Sequence, residues 1–227
     1  MDGTSELFLE FMRVLPLEIR KEAPTYPRDH ALSYQDLAQM VRYITFESET
    51  FVSEPFVLVA ESFSTPVAIQ IAAEHPPKLR ALILCAGFAT SPVRGPQRWL
   101  MSLLAHVFVR ASFSDSAIRF ALVGEDAPPS LVDMVRAAIS SVRPEVLAAR
   151  LRALLACDTR SELAAVSVPI LYLQANRDRL VKPRCLDEMR RANPSIRPIE
   201  VDGPHLLLQR EPQKTAKIVA KFLRELD

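Results

Sequence analysis

Three short apolar runs, FVLVA (56–60), LRALILCA (79–86) and VPILYLQA (168–175), alternate with stretches of helical periodicity. That alternation constrains the fold more than any other feature of the chain. Continuous apolar runs of this length fit strands buried on both faces, as a parallel sheet requires. A fourth run, IRPIEVD (196–202), alternates and contains Pro198, which suits an edge strand because proline cannot donate to a ladder. LEIRKEAPTY (17–26) is read as a fifth. Helical patterns cover 34–45, opening at Ser33, and 66–74, opening at Pro66; another is PQKTAKIVAKFLREL near the C-terminus. Proline is well placed in a first helical turn, where its missing N–H would have no intrahelical acceptor. The alternation predicts an α/β fold with a mostly parallel sheet and helices on both faces.

The alternation stops between about 92 and 165. Four helical patterns follow one another there without a strand, at 96–109, 114–122, 129–141 and 144–156. The expected organisation is a core of 1–91 and 166–227 carrying a helical cap at 92–165, placed over the C-terminal edge of the strands. At 227 residues, of which 49% are hydrophobic and 24% charged, the chain can bury one large core. With 28 basic and 27 acidic residues, the overall balance offers no electrostatic case for nucleic acid or an anionic membrane. Cys85, Cys157 and Cys185 have no metal-site spacing, and Cys85 sits in an apolar run as a core filler. This usage fits a reducing, cytoplasmic setting. The opening MDGTSELFLEF has acids and no cleavage pattern, so no signal peptide is expected. WLMSLLAHVFV is about half of the roughly 20 residues that a membrane span needs. Five glycines against 18 prolines mean that other residues must often carry positive φ.

Ser62 lies where the run 56–60 gives way to a helix, in A-E-S-F-S. A strand, a sharp turn and a helix form the setting of a nucleophile elbow, in which the serine has positive φ and projects above the sheet. Residues two before and two after must be small, and Ala60 and Ser64 are. A helix-capping serine is the plainer reading of this motif alone. Two later loops strengthen the first. Asp178 follows the strand 168–175 and His205 follows the strand 196–202; serine, acid and histidine in that order, each beyond a strand end, is the arrangement this chemistry uses. Asp202 and Asp187 are alternative acids. His30, His75 and His106 lie outside the last loop.

VLVAESFSTP, VPILYLQANRDRLV and GPHLLLQREP resemble segments of the α/β-hydrolases, in particular small carboxylesterase-like members, and MDGTSELF resembles their oxyanion loop. The resemblance implies a two-step acyl transfer with Ser62 as nucleophile, His205 as base and Asp178 as the orienting acid. It also implies an oxyanion hole made by the N–H of Phe63 with a second donor from Met1 or Asp2, and no metal or organic cofactor. Small or medium carboxylic esters are the expected substrates, with Trp99, Leu103 and Phe108 in the helical insertion as an apolar wall for the acyl chain. A C–C hydrolase or acyltransferase using the same triad is an alternative, as is a ligand-binding protein on a decayed hydrolase fold. The chain departs from the family at Ala60 and Thr65, where glycine is frequent, and in lacking the central strand before the oxyanion loop. Closing that gap calls either for 17–26 to pair with 56–60 or for a homodimer.

Overall fold

A computed structural model describes residues 2–44, 54–111 and 114–226. Four strands, β1 (Phe56–Glu61), β2 (Leu79–Cys85), β3 (Ile170–Ala175) and β4 (Arg197–Val201), form one parallel sheet in the order β1-β2-β3-β4. The register sets Glu61 beside Cys85, Cys85 beside Leu173, and Ala175 beside Val201. The four C-terminal ends therefore share one edge.

Twelve helices accompany the sheet in the described residues. They are α1 (Leu9–Val14), α2 (Tyr34–Arg42), α3 (Thr65–Ala73), α4 (Pro96–Leu103), α5 (Ala105–Ala111) and α6 (Asp115–Ile118). After a π turn at Arg119–Val123 come α7 (Pro129–Ser140), α8 (Pro144–Ala156), α9 (Arg160–Ala165), α10 (Pro183–Ala192), α11 (Leu207–Arg210) and α12 (Pro212–Arg224). Proline occupies the first turn of α3, α4, α7, α8, α10 and α12, which accounts for much of the proline excess. Ser33 and Asp36 close a reciprocal capping box on α2.

Alternate side chains of the central strands serve two cores. Ala81, Ile83, Leu171 and Leu173 pack with Phe11 of α1 and with Val219 and Phe222 of α12. Leu82, Leu84, Ile170 and Tyr172 face Ile69 of α3, Leu163 of α9 and Met189 of α10. This period-2 division is what a sheet covered on both faces requires.

One expectation needs correction. Residues 17–26 form no strand. They run as irregular chain whose last residue, Tyr26, donates its N–H to the carbonyl of Gly3 (2.8 Å). Pro16, Pro24 and Pro27 remove ladder donors there, and Leu17 is almost fully exposed. Among the described residues β1 pairs only with β2 and stands at the sheet's edge. The helices of the expected insertion divide between layers. α9 belongs to the layer under the sheet with α3 and α10, whereas α5 with α8, and the segment 118–138 with Leu7, bury separate small cores.

Candidate active site

Ser62 sits at φ +53°, and the chain passes from the extended Glu61 straight into a 3-10 turn and α3. Ala60 and Phe63 are buried, and Thr65 is fully so. Thr65 fills the place where a glycine was expected because glycine stands opposite it: a Cβ on Gly87 would come within 2.3 Å of Thr65 Cγ2. The Thr65 hydroxyl donates to the carbonyls of Ser62 (2.8 Å) and Phe88 (3.1 Å) and accepts from the Phe88 N–H (3.1 Å). The elbow is thus tied to the chain just beyond β2.

Three side chains meet above the sheet edge. Ser62 Oγ lies 2.7 Å from His205 Nε2, and His205 Nδ1 lies 2.7 Å from Asp178 Oδ2. The other carboxylate oxygen of Asp178 accepts the backbone N–H groups of Leu180 (2.7 Å) and Val181 (2.9 Å). The His205 and Asp178 side chains are each 3% exposed. Asp202 instead pairs with Arg177 at the surface, and Asp187 is exposed on α10. His30 contacts Asp29, His75 contacts Ser167, and His106 is exposed. Of the candidate acids and bases, the fold brings only Asp178 and His205 to Ser62. A hydroxyl, an imidazole and a buried carboxylate in series can pass a proton from the hydroxyl to the ring, with the carboxylate fixing the tautomer.

The family model for serine aminopeptidase, S33, an α/β-hydrolase family, matches residues 22–198. The chain belongs to this family. No curated protein sequence matches it significantly. Among solved structures, an enol-lactonase from Burkholderia xenovorans LB400 superposes with a TM-score of 0.75 at 18% identity, over 98% of this chain and 88% of its own. A thermophilic esterase from Thermogutta terrifontis gives 0.71 at 20% identity, over 91% and 76%. A structure from work on carboxylesterases of Nitrososphaera gargenis gives 0.73 at 18% identity, over 99% and 87%. At these identities the likeness establishes the fold. The chain is a hydrolase of the α/β type.

The segment expected to complete the oxyanion hole lies close to the elbow. Met1 is outside the described residues, but Asp2, Gly3 and Thr4 are placed. The Asp2 carboxylate accepts the Thr4 N–H (2.8 Å) and hydroxyl (2.9 Å). Gly3 has φ +64°, and a Cβ on it would strike Tyr26 Cδ2 at 2.6 Å. The Tyr26 hydroxyl in turn reaches Ser64 Oγ (3.2 Å), and the ring of Phe63 packs against both Tyr26 and Tyr34. The loop is also held from the insertion. Arg150 of α8, 2% exposed, donates to the carbonyls of Asp2 and Pro27, each at 2.7 Å.

Gly3, Tyr26 and Arg150 were not singled out from sequence. Arg150 stands among apolar residues in LAARLRALLA, where an arginine reads as a solvated face. Its only signal is that it lies on the apolar stripe rather than opposite it. Glu61 was missed as well. It is buried beneath the site, accepts the Leu208 N–H (3.0 Å) and the Cys85 thiol (3.6 Å), and burial raises its pKa despite those bonds.

The expected acyl wall takes a different position. Trp99, Leu103 and Phe108 are exposed, Trp99 by 71%. Trp99 and Leu103 line an open depression of about 300 Å³ with Ser102 and Arg152, and none of Ser62, Asp178 and His205 borders it. The insertion meets the site through another segment, where Leu122 accepts the N–H of Leu206, next to His205, at 2.8 Å.

Proposed function

We propose that the protein is a serine carboxylesterase that acts through an acyl-enzyme on Ser62. The carrying observation is the chain of two 2.7 Å contacts from Ser62 Oγ through His205 to Asp178. As the Ser62 oxygen attacks the ester carbonyl, His205 Nε2 takes its proton, and the Asp178 carboxylate stabilises the resulting imidazolium. The tetrahedral oxygen accepts the Phe63 N–H, with the loop of Asp2 supplying the second donor. Collapse breaks the C–O bond, and the alcohol leaves with the proton from His205. Water, deprotonated by the same imidazole, then releases the acid and restores Ser62. Losing one oxyanion donor typically costs about 10² to 10³ in rate, so the fit of the Asp2–Thr4 loop governs how fast such an enzyme runs.

Small or medium carboxylic esters are the proposed substrates, and the neighbouring esterases support that class. The test is covalent labelling with a fluorophosphonate, read by mass at Ser62, alongside hydrolysis of p-nitrophenyl acetate. Both should vanish in Ser62→Ala while the thermal unfolding midpoint stays within a few degrees. Turnover retained in purified Ser62→Ala would refute the nucleophile. A folded wild-type protein that neither labels nor turns over would instead be a ligand-binding protein on a hydrolase fold.

A further inference from the structure

The helix pair α4–α5 is built with its large apolar side chains facing out. α4 and α5 meet at Leu104, whose φ −94° and ψ +22° break the helix; its N–H donates to Leu100 O (2.9 Å), and its carbonyl accepts the N–H groups of Val107 (2.9 Å) and Phe108 (3.0 Å). Trp99, Leu100 and Leu103 lie on α4, Leu104 at the break, and Val107 on α5. Trp99, Val107 and Leu103 are 71%, 63% and 61% exposed, and Leu100 and Leu104 are 47% and 40% exposed. The inner face carries smaller residues: Ala105 and Val109 are buried against Val146 and Leu151 of α8. A helix that is apolar on both faces normally lies wholly in a core. Large apolar side chains gathered at the surface in this way mark a docking site.

Charge identifies the occupant. From His75 to Ser114 the sequence contains no Asp or Glu, yet Arg94 and Arg98 precede Trp99. Arg152 borders the same surface, donating to Ser102 O. Acids facing this rim come from other elements: Glu188 of α10 pairs with Arg94, and Asp158 lies near Arg98. A second copy docked face to face across a two-fold axis would bring these arginine-rich rims together. A bilayer with anionic headgroups meets both features at once, because its acyl boundary takes the apolar side chains and its phosphates take the arginines. Trp at the boundary of such a face suits the headgroup level. No helix among the described residues is long and apolar enough to cross a membrane, so the contact is of a kind that lies on the surface.

We propose that the outer face of α4–α5 docks on bilayers containing anionic lipid, with Trp99, Leu103 and Val107 at the acyl boundary. This holds whether or not Ser62 is a nucleophile. Trp99 is the single tryptophan of the chain, so its emission reports the contact directly. The whole protein is titrated with vesicles of phosphatidylcholine alone and with about 30 mol% phosphatidylglycerol. Expected are a blue shift, quenching by brominated acyl chains, and at least tenfold less lipid for half-saturation on the anionic vesicles. Val107→Glu and, separately, Arg98→Glu should each raise the half-saturating lipid about tenfold or more; unfolding curves establish that each variant is folded. The proposal is overturned by an unchanged emission at millimolar lipid, by equal binding to both vesicles, or by wild-type binding of both folded variants. A blue shift that follows protein concentration without lipid, with a dimer in sedimentation equilibrium, would assign the face to a second copy and overturn it too.

Discussion

The edge of the sheet around Ser62 and the outer face of α4–α5 both concentrate unusual side chains, on opposite terms. At the sheet edge the candidate catalytic groups and their immediate supports have their partners within the protein: both Asp178 oxygens, both His205 nitrogens, the Thr65 hydroxyl and the Glu61 carboxyl. On α4–α5 the apolar side chains are turned toward water while the small ones are packed inside. A catalytic cluster has to be held in one geometry before its substrate arrives, so its complement is internal. A docking face has to leave its complement outside. If this contrast is right, the two regions respond differently to the same kinds of substitution.

The largest effect is expected at the sheet edge, from Asp178→Asn. The Leu180 and Val181 N–H groups hold one carboxylate oxygen. In the variant they would hold the amide oxygen, leaving the NH₂ group to face His205 Nδ1. That donor fixes the imidazole with its proton on Nε2, the atom that must accept from Ser62. A loss of about 10⁴ in kcat follows, with little change in KM. Asp202→Asn, at the exposed pair with Arg177, should leave the kinetics unaltered. A pH–rate profile on p-nitrophenyl acetate for both variants checks this, and a larger loss in Asp202→Asn would show that the internal network has been misassigned.

The same contrast explains what could be read from sequence. Ser62, Asp178 and His205 are legible because each follows an apolar run, and the run fixes both the strand and its end. The elbow could be recognised without glycine because the size of Ala60 and Ser64 could be judged locally. Its compensation could not, since the fit of Thr65 depends on Gly87, some twenty residues away. LEIRKEAPTY reads as a strand by composition, but a strand needs a neighbour, and its prolines leave too few donors to hold one. Arg150 has the same difficulty in reverse: its partners are the carbonyls of Asp2 and Pro27, far off in sequence. For α4–α5 the periodicity gives an apolar stripe but not the side that faces inward. The net charge of +1 averages away a forty-residue stretch free of acids.

The two faces of α5 allow a sharper comparison of intermediate size. Val107 and Val109 are two residues apart, one 63% exposed and the other 3%. Val109→Glu puts a carboxylate into the apolar cluster with Val146 and Leu151, and should lower stability by about 3 kcal/mol or more in urea unfolding. Val107→Glu removes apolar surface from water and should change it by no more than about 0.5 kcal/mol. Equal losses at both positions would mean that the outward face is covered in solution.

The smallest effect concerns Glu61, where internal satisfaction carries a cost. Glu61→Ala would leave the buried Leu208 N–H without its acceptor, a loss of about 1–3 kcal/mol. Glu61→Gln keeps an oxygen for that N–H and should lose less. The two carboxamide and carboxyl forms separate with pH. Burial raises the Glu61 pKa above its ordinary value of 4.5, so the folded state holds the proton longer than the unfolded chain does. The stability tied to that proton is complete below pH 4.5 and falls as pH rises through the folded value. Glutamine has no such proton to lose. The stability difference between Glu61→Gln and wild type should therefore shift toward the variant as pH rises from about 4.5, and then level off. Urea unfolding of both proteins across that range measures it. A difference that moves toward wild type would show that the carboxylate is held as an anion, and would make the floor of the site a charged contact instead of a neutral one.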